Sequence, residues 1–226
     1  MNRYDLSKIL PLSALVAALA LAGCSSDNEE MERRSFRIDL VNLTANQPMS
    51  PPAALADAGS VWWSDGSAAS EALEHLAESG DASGLINGED GAVQAGGLLL
   101  PGMTASLTVK TDDAQPMLSL ATMLANTNDA FSGLTAEDLS DLQPGEQRVL
   151  WLPARDAGTE ANSESAASIP GPAGGGEGYN ADRDDVTGVV TLHPGVVGVE
   201  AGANDSALDA SHRFDNPVLR VTISAL

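Results

Sequence analysis

The sequence predicts an all-β fold, an antiparallel sandwich or barrel with one or two short helices in its connections. Several segments alternate apolar and polar residues with a period of two, as half-buried strands do. Pro- and Gly-rich turns separate these segments, and strands do not alternate with helices as a parallel sheet would require. The 226 residues suffice for one such domain after a short leader.

The first residues of the chain predict export. Arg3 and Lys8 precede an uncharged apolar run over residues 9–22. Because this run is shorter than the roughly 20 residues that cross a bilayer, it indicates a cleaved signal peptide, residues 1–23, and not a membrane span.

The signal ends in the letters LAGC, which resemble a bacterial lipobox. Cys24 is the single cysteine of the chain, so it can form no internal disulfide and fits a lipid attachment point. The alternative is an ordinary signal peptide beside a chance cysteine. Serines follow Cys24, and the lack of an aspartate there favours anchoring in the outer membrane. Residues 24–34 are polar and are expected to tether the lipid to the domain.

Cleavage leaves 9 of the 11 basic and 31 of the 32 acidic residues, a formal charge of −22. A surface with so few basic groups excludes nucleic acid as a partner, because phosphate binding needs Lys and Arg. The same charge keeps the protein soluble and attracts cations without specificity.

Alternation predicts the strands in chain order. In the first, Phe36, Ile38 and Leu40 alternate with Arg37 and Asp39. The pattern is cleanest over residues 103–110 and returns in Leu219–Ala225. Shorter strands are predicted at Gln147–Leu152 and at residues 188–192.

One helix is predicted in the segment SAASEALEHLAESG, where Ala69, Leu73, Leu76 and Ala77 have helical spacing, with Ser67 or Ser70 as its N-cap and Gly80 as its stop. The segment MLSLATMLANTND could be a buried strand or a short helix, since periodicity does not distinguish them. Residues 161–187 lose all apolar periodicity, and a stretch of that length is either functional or disordered.

Two acids at the exit of a strand form the main candidate site. Asp156 and Glu160 lie four residues apart with Gly158 between them, and Asp129 lies in another predicted end loop. Calcium takes six to eight oxygen ligands, which loops at one end of a sandwich can supply from separate segments. Spacing alone leaves three possibilities open: a metal site, a catalytic pair and a solvated turn.

Catalysis has less support in the sequence. Asp156 and Glu160 could serve glycoside hydrolysis, but such sites also use aromatic platforms, and aromatic residues make up only 4% of the chain. Trp62 and Trp63 are expected to pack, with at most one of them in the core because adjacent strand residues face opposite sides. No serine lies in a nucleophile motif. The three histidines, His75, His193 and His212, are dispersed and do not indicate zinc.

Several motifs in this order resemble the spondin domain, the N-terminal domain of F-spondin and mindin. They are FRIDLVNLTANQPMSPP, SEALEHLAESGD, LSLATMLANTNDAFSGL, DAGTEANSE, IPGP, HPGVVG and NPVLRVTI, and they cover Phe36 to Leu226. The resemblance implies an antiparallel β-sandwich similar to C2 domains over residues 35–226. It also implies calcium ligands at Asp129, Asp156 and Glu160, with Glu160 standing where the family has a second Asp. The cysteines of the animal domain are absent.

The expected function is therefore that of a non-catalytic, lipid-anchored protein of the bacterial cell envelope. Its calcium-binding loops would present a surface for adhesion or for a protein or glycan ligand. The alternative is an envelope hydrolase that uses the carboxylates of Asp156 and Glu160.

Overall fold

Two antiparallel sheets pack face to face, which confirms the predicted all-β sandwich. The structure is a computed structural model and describes residues 33–226, all within one unit, Met31–Leu226. The predicted signal peptide, Cys24 and most of the predicted tether lie outside the described residues. The first strand begins at Arg34, the last residue that the sequence assigned to the tether.

Within residues 33–226, ten strands form the sheets, and the pairs between them are all antiparallel. In chain order they are β1 (Arg34–Asn42), β2 (Ala53–Asp57), β3 (Val93–Gln94), β4 (Thr104–Thr111), β5 (Met117–Met123), β6 (Ala130–Asp138), β7 (Gln147–Leu152), β8 (Ala154–Asp156), β9 (Thr191–Leu192) and β10 (Leu219–Ala225). The helices are α1 (Glu71–Ser79) and α2 (Ser83–Ile86), with 3-10 turns at Val199–Ala201 and Ala210–His212.

The four-stranded sheet has the order β4-β1-β10-β7, and the six-stranded sheet has the order β3-β2-β5-β6-β8-β9. The alternating strands of the sequence lie in the four-stranded sheet. Most of their apolar residues, among them Phe36, Ile38, Val221 and Ile223, are buried between the sheets, while most of their polar residues face outward. This is the pattern of a sheet with one face in the core.

The six-stranded sheet is covered on both faces. One face meets the four-stranded sheet, and the other packs against α1 through Leu55, Ala121 and Phe131. In a strand that is buried on both faces, apolar and polar residues need not alternate. Periodicity therefore could not identify MLSLATM as a strand. It is strand β5 and not a helix.

Two expectations need correction. Trp62 and Trp63 are both buried, because the chain around them is not a strand and both indoles pack against α1 and the sheet. Trp63 meets Phe131 edge-on, with 5.0 Å between the ring centroids. The strand predicted at residues 188–192 shrinks to the two residues of β9.

Helix α1 has the ends that the sequence predicts. The Ser70 hydroxyl accepts a hydrogen bond from the Leu73 N–H at 3.2 Å, and Gly80 ends the helix in the left-handed conformation with φ of 73°. Ser70, not Ser67, is therefore the N-cap.

Replacing Ser70 with Ala should lower the free energy of unfolding by about 1 kcal/mol, because the first turn loses its cap. Urea unfolding measures the change. Ser67→Ala is the matched control, since Ser67 is exposed and offers its side chain to no helix N–H. Equal losses in the two variants would contradict the assignment of the cap.

Within residues 33–226, no helix is long and apolar enough to cross a membrane.

Candidate cation site

Strand pairing brings Asp129 beside Asp156. Asp129 ends the turn between β5 and β6, and Asp156 is the last residue of β8. Ala130 is in register with Asp156, and the Ala157 N–H donates to the Asp129 carbonyl at 3.2 Å. Two segments far apart in the sequence thus place their acids at the same end of the six-stranded sheet, as the sequence predicts.

The turn after Asp156 needs glycine. Gly158 has φ of 71°, and a Cβ there would lie 2.5 Å from backbone atoms of Val189. This bend aims the next two backbone N–H groups at Asp129, whose Oδ2 accepts from Thr159 N at 2.8 Å and from Glu160 N at 3.1 Å. The first residue of the predicted set is therefore bonded directly to the backbone of the third.

The Asp129 carboxylate is fully buried and only half satisfied. Its Oδ1 has no hydrogen-bond partner. Burial, reinforced by the negative charge of Asp156, raises the pKa of Asp129 to about 7, although the N–H groups of Thr159 and Glu160 oppose the shift. An ionised Asp129 is therefore costly in the absence of a cation.

Glu160 shares with Asp129 a buried carboxylate that has one unpartnered oxygen. Its side chain is buried, and Oε2 has no partner. Burial raises the pKa of Glu160 to about 8, with help from the charges of Glu78, Asp129 and Asp184, while a hydrogen bond from Asn128 acts in the other direction.

Glu78 on α1 is a member of this site that the sequence analysis missed. It is fully buried, with Oε1 unpartnered and Oε2 accepting from Asn180 N at 2.8 Å. Burial raises its pKa as well. The signal in the sequence was weak: Glu74 and Glu78 lie four residues apart beside the apolar stripe of the helix, without a Lys or Arg on α1 to pair with them.

Asp156 differs from these acids because both of its oxygens are occupied. Oδ1 accepts from Gly158 N at 2.8 Å, and Oδ2 accepts from the side chain of Asn162. Asn162 in turn accepts from His193 Nε2 at 2.9 Å, and His193 Nδ1 accepts from Gly195 N at 3.0 Å. Burial lowers the pKa of His193, so the ring is neutral and donates from Nε2.

Negative charge outweighs positive charge in this part of the molecule. Six carboxylates are buried among the described residues, those of Glu74, Glu78, Asp129, Asp156, Glu160 and Glu164; the last accepts hydrogen bonds from Val197 N, Gly198 N and the Ser206 hydroxyl. Among the described residues, Arg183, which bonds Glu74, is the one basic side chain in a salt bridge with any of them. Buried carboxylates without a compensating charge require either protons or a bound cation.

The donor chemistry of the site suits a hard cation. Asp129 Oδ1, Glu160 Oε2 and Glu78 Oε1 are unpartnered carboxylate oxygens, the ligand type that calcium prefers. A cavity of about 90 Å³ adjoins Glu160, and its walls include Glu177, Asp182 and Asp184 but no basic residue. Across residues 33–226, however, no three His, Cys, Asp or Glu side chains are gathered into a ready-made metal cluster.

The arrangement therefore places Asp129 next to both Asp156 and Glu160 without closing a ligand shell around one point. The other two histidines lie apart: His75 stacks on Tyr179, and His212 belongs to the 3-10 turn Ala210–His212. Residues 161–187 contain no helix or strand, as predicted, but they are held by hydrogen bonds such as Asn180 N to Glu78 and Ala161 N to Asp184.

No protein-family model matches the chain, and no curated protein matches it. The similarity to the spondin domain consequently depends on the motifs of the sequence alone.

Proposed function

We propose that this protein is a non-catalytic, lipid-anchored component of the bacterial envelope whose β-sandwich binds calcium at the Asp129–Glu160 end and presents its end loops to a ligand. The observation that carries the proposal is the group of buried carboxylates with unpartnered oxygens and almost no compensating positive charge. The spondin-like motifs DAGTE and NDAFSGL coincide with these acids.

Asp129 and Glu160 would hold the cation, with Asp156 as the third predicted ligand and Glu78 as a further acid within the same buried group. Bound calcium supplies positive charge to these carboxylates. Because Glu160 directly precedes residues 161–187, occupancy of the site would also stabilise that long segment, which rests on Glu78 through Asn180.

The burial of the acid pair supports the non-catalytic function over the hydrolase alternative. Asp156 and Glu160 expose only 3% and 5% of their surface, which leaves little room for a glycosidic oxygen between them. Both oxygens of Asp156 also serve the loop itself. These features are typical of acids that organise a loop or a cation.

Anchoring through a lipid at Cys24 and location at the outer membrane remain part of the proposal, since these residues lie outside the described range. Mass spectrometry of the purified protein tests the anchor: the expected result is a diacylated N-terminal cysteine, and a chain that starts at another residue would contradict it.

Calcium should raise the thermal midpoint of the Met31–Leu226 unit. At a free concentration ten times the dissociation constant, mass action adds about 1.4 kcal/mol, or about 3–6 °C for a domain of this size. The midpoint should be measured at fixed ionic strength in chelator, calcium and magnesium.

Glu160→Gln should abolish this rise, whereas the exposed Asp215→Asn should retain it and controls for loss of one negative charge. Equal midpoints of the wild type in chelator and in calcium would overturn the calcium proposal.

A further inference from the structure

The outward face of the four-stranded sheet differs in charge from the rest of the molecule. Residues 33–226 contain 9 basic and 27 acidic residues. Three of those basic residues, Arg37, Lys110 and Arg220, occupy outward positions of this sheet, together with a single acid, Asp39. Asp39 is already paired with Arg37 and accepts from Ser106. An anion can therefore approach this face although the domain as a whole repels it.

Strand register arranges the outward side chains in rows. One row crosses the sheet as Trp151, Arg220, Val41 and Thr104, and the next as Val149, Thr222, Asp39 and Ser106. Within residues 33–226 no other element covers the outer edge of these rows, where Trp151 is 57% exposed and Val149 is 49% exposed. A large aromatic surface thus lies open beside hydroxyl groups.

Arg220 is the charged centre of the first row. Its guanidinium carbon lies 5.8 Å from the centroid of the Trp151 ring. Among the described residues Arg220 forms no salt bridge, and its Nε has no hydrogen-bond partner. Because Nε is buried, an approaching anion would meet the two terminal nitrogens of this guanidinium, which is held against an indole and can bind a planar carboxylate.

We propose that this face, defined by Trp151, Arg220, Thr222 and Arg37, binds an acidic polysaccharide, a glycan whose sugar rings carry carboxylates. The apolar side of a sugar ring packs on Trp151, a carboxylate accepts from Arg220, and the Ser and Thr hydroxyls of β4 and β10 exchange hydrogen bonds with sugar hydroxyls.

Two other occupants fit less well. A lipid surface would favour a cluster of four to eight basic residues or a group of apolar side chains, whereas most outward positions of β4 are Ser and Thr. A second copy of the chain would bring the same excess of acids toward this one. Both remain outcomes of the test.

Isothermal titration of the Met31–Leu226 unit with polygalacturonate, a linear polymer of carboxylated sugars, tests the inference. Chelator is present throughout, so the result does not depend on the proposed calcium site. We expect binding that Trp151→Ala and Arg220→Gln each weaken by at least about tenfold, with Trp151→Phe between these and the wild type. Raising NaCl from 50 to 500 mM should weaken it further.

Arg213→Gln is the control for loss of one positive charge, because Arg213 is exposed and lies outside the sheet; it should bind as the wild type does. Thermal midpoints verify that each variant is folded. The inference is overturned if the wild type does not bind, if dextran binds equally well, or if the Trp151 and Arg220 variants retain full affinity. Tighter binding to phosphatidylglycerol vesicles through the same residues, or self-association that these variants abolish, would assign the face to another partner.

Discussion

Asp129→Asn should make the calcium-free protein more stable and at the same time abolish its response to calcium. The two effects have opposite signs because the buried charge of Asp129 destabilises the folded state when no cation is bound, whereas the same charge binds the cation when one is present. With a pKa of about 7 against the ordinary 3.8, the ionised side chain costs on the order of 4 kcal/mol at pH 8.

Asparagine at position 129 keeps the side-chain oxygen that accepts the backbone hydrogen bonds. Its amide oxygen can still accept from the N–H groups of Thr159 and Glu160, while its NH₂ group replaces Oδ1, which has no partner. The charge that repels Asp156 is gone. We expect the free energy of unfolding in chelator at pH 8 to rise by roughly 2–4 kcal/mol.

Urea unfolding in chelator and in calcium measures both effects on the same samples. Asp215→Asn removes a solvent-exposed charge and should leave the wild-type behaviour unchanged in both conditions. A variant that is less stable in chelator and still stabilised by calcium would mean that the backbone N–H groups alone compensate the Asp129 charge, and that the cation binds elsewhere.

The alternating strands could be predicted from sequence because one of their faces meets water. The burial of Phe36 and Ile38 is visible in the sequence because Arg37, between them, and Asp39, after them, face outward. In the six-stranded sheet this contrast is lost: β5 is buried by the other sheet on one face and by α1 on the other. Its nature as a strand depends on contacts that are distant in sequence.

The candidate site likewise contains residues that the sequence could identify and one that only tertiary packing brings to it. Asp129, Asp156 and Glu160 could be proposed from their positions beside predicted strands, and the pairing of β6 with β8 brings the first two together. Glu78 could not, because it reaches the site through the packing of α1 against the sheet. The basic side chains of the outer sheet face could not be recognised as a group either, because β1, β4 and β10 each contribute only one of them and the face forms only when the strands pair.

Stability without divalent cations should fall as the pH rises from about 6.5 to 8.5. The folded pKa values of Asp129 and Glu160, about 7 and about 8, exceed their ordinary values of 3.8 and 4.5. In this window the unfolded chain has released both protons while the folded protein still holds part of them. Stability therefore declines with increasing pH, by about 3 kcal/mol in total.

The charged groups around Asp129 and Glu160 also favour raised pKa values for these two acids. Asp156 from β8, Glu78 from α1 and Asp184 from the long segment all face them with negative charge, and Arg183, the nearby cation, is bonded to Glu74. Below pH 6.5, His193 acts in the opposite sense, because its lowered pKa makes the folded state resist a proton that the unfolded chain accepts. Two acids hold extra protons in the folded state and only one histidine resists a proton, so metal-free stability should still increase below pH 6.5, but less steeply than the two acids alone would make it.

Unfolding in urea at pH 6.5, 7.5 and 8.5, after removal of divalent cations, measures the decline. Saturating calcium should flatten it, because a bound cation replaces the protons, and calcium affinity should increase over the same range. Asp129→Asn, which lacks one of the two titrating groups, should show a shallower decline than the wild type. Metal-free stability that is constant or increases from pH 6.5 to 8.5 would show that these acids are ionised at no cost, and the physical basis for a cation at this end of the sandwich would be lost.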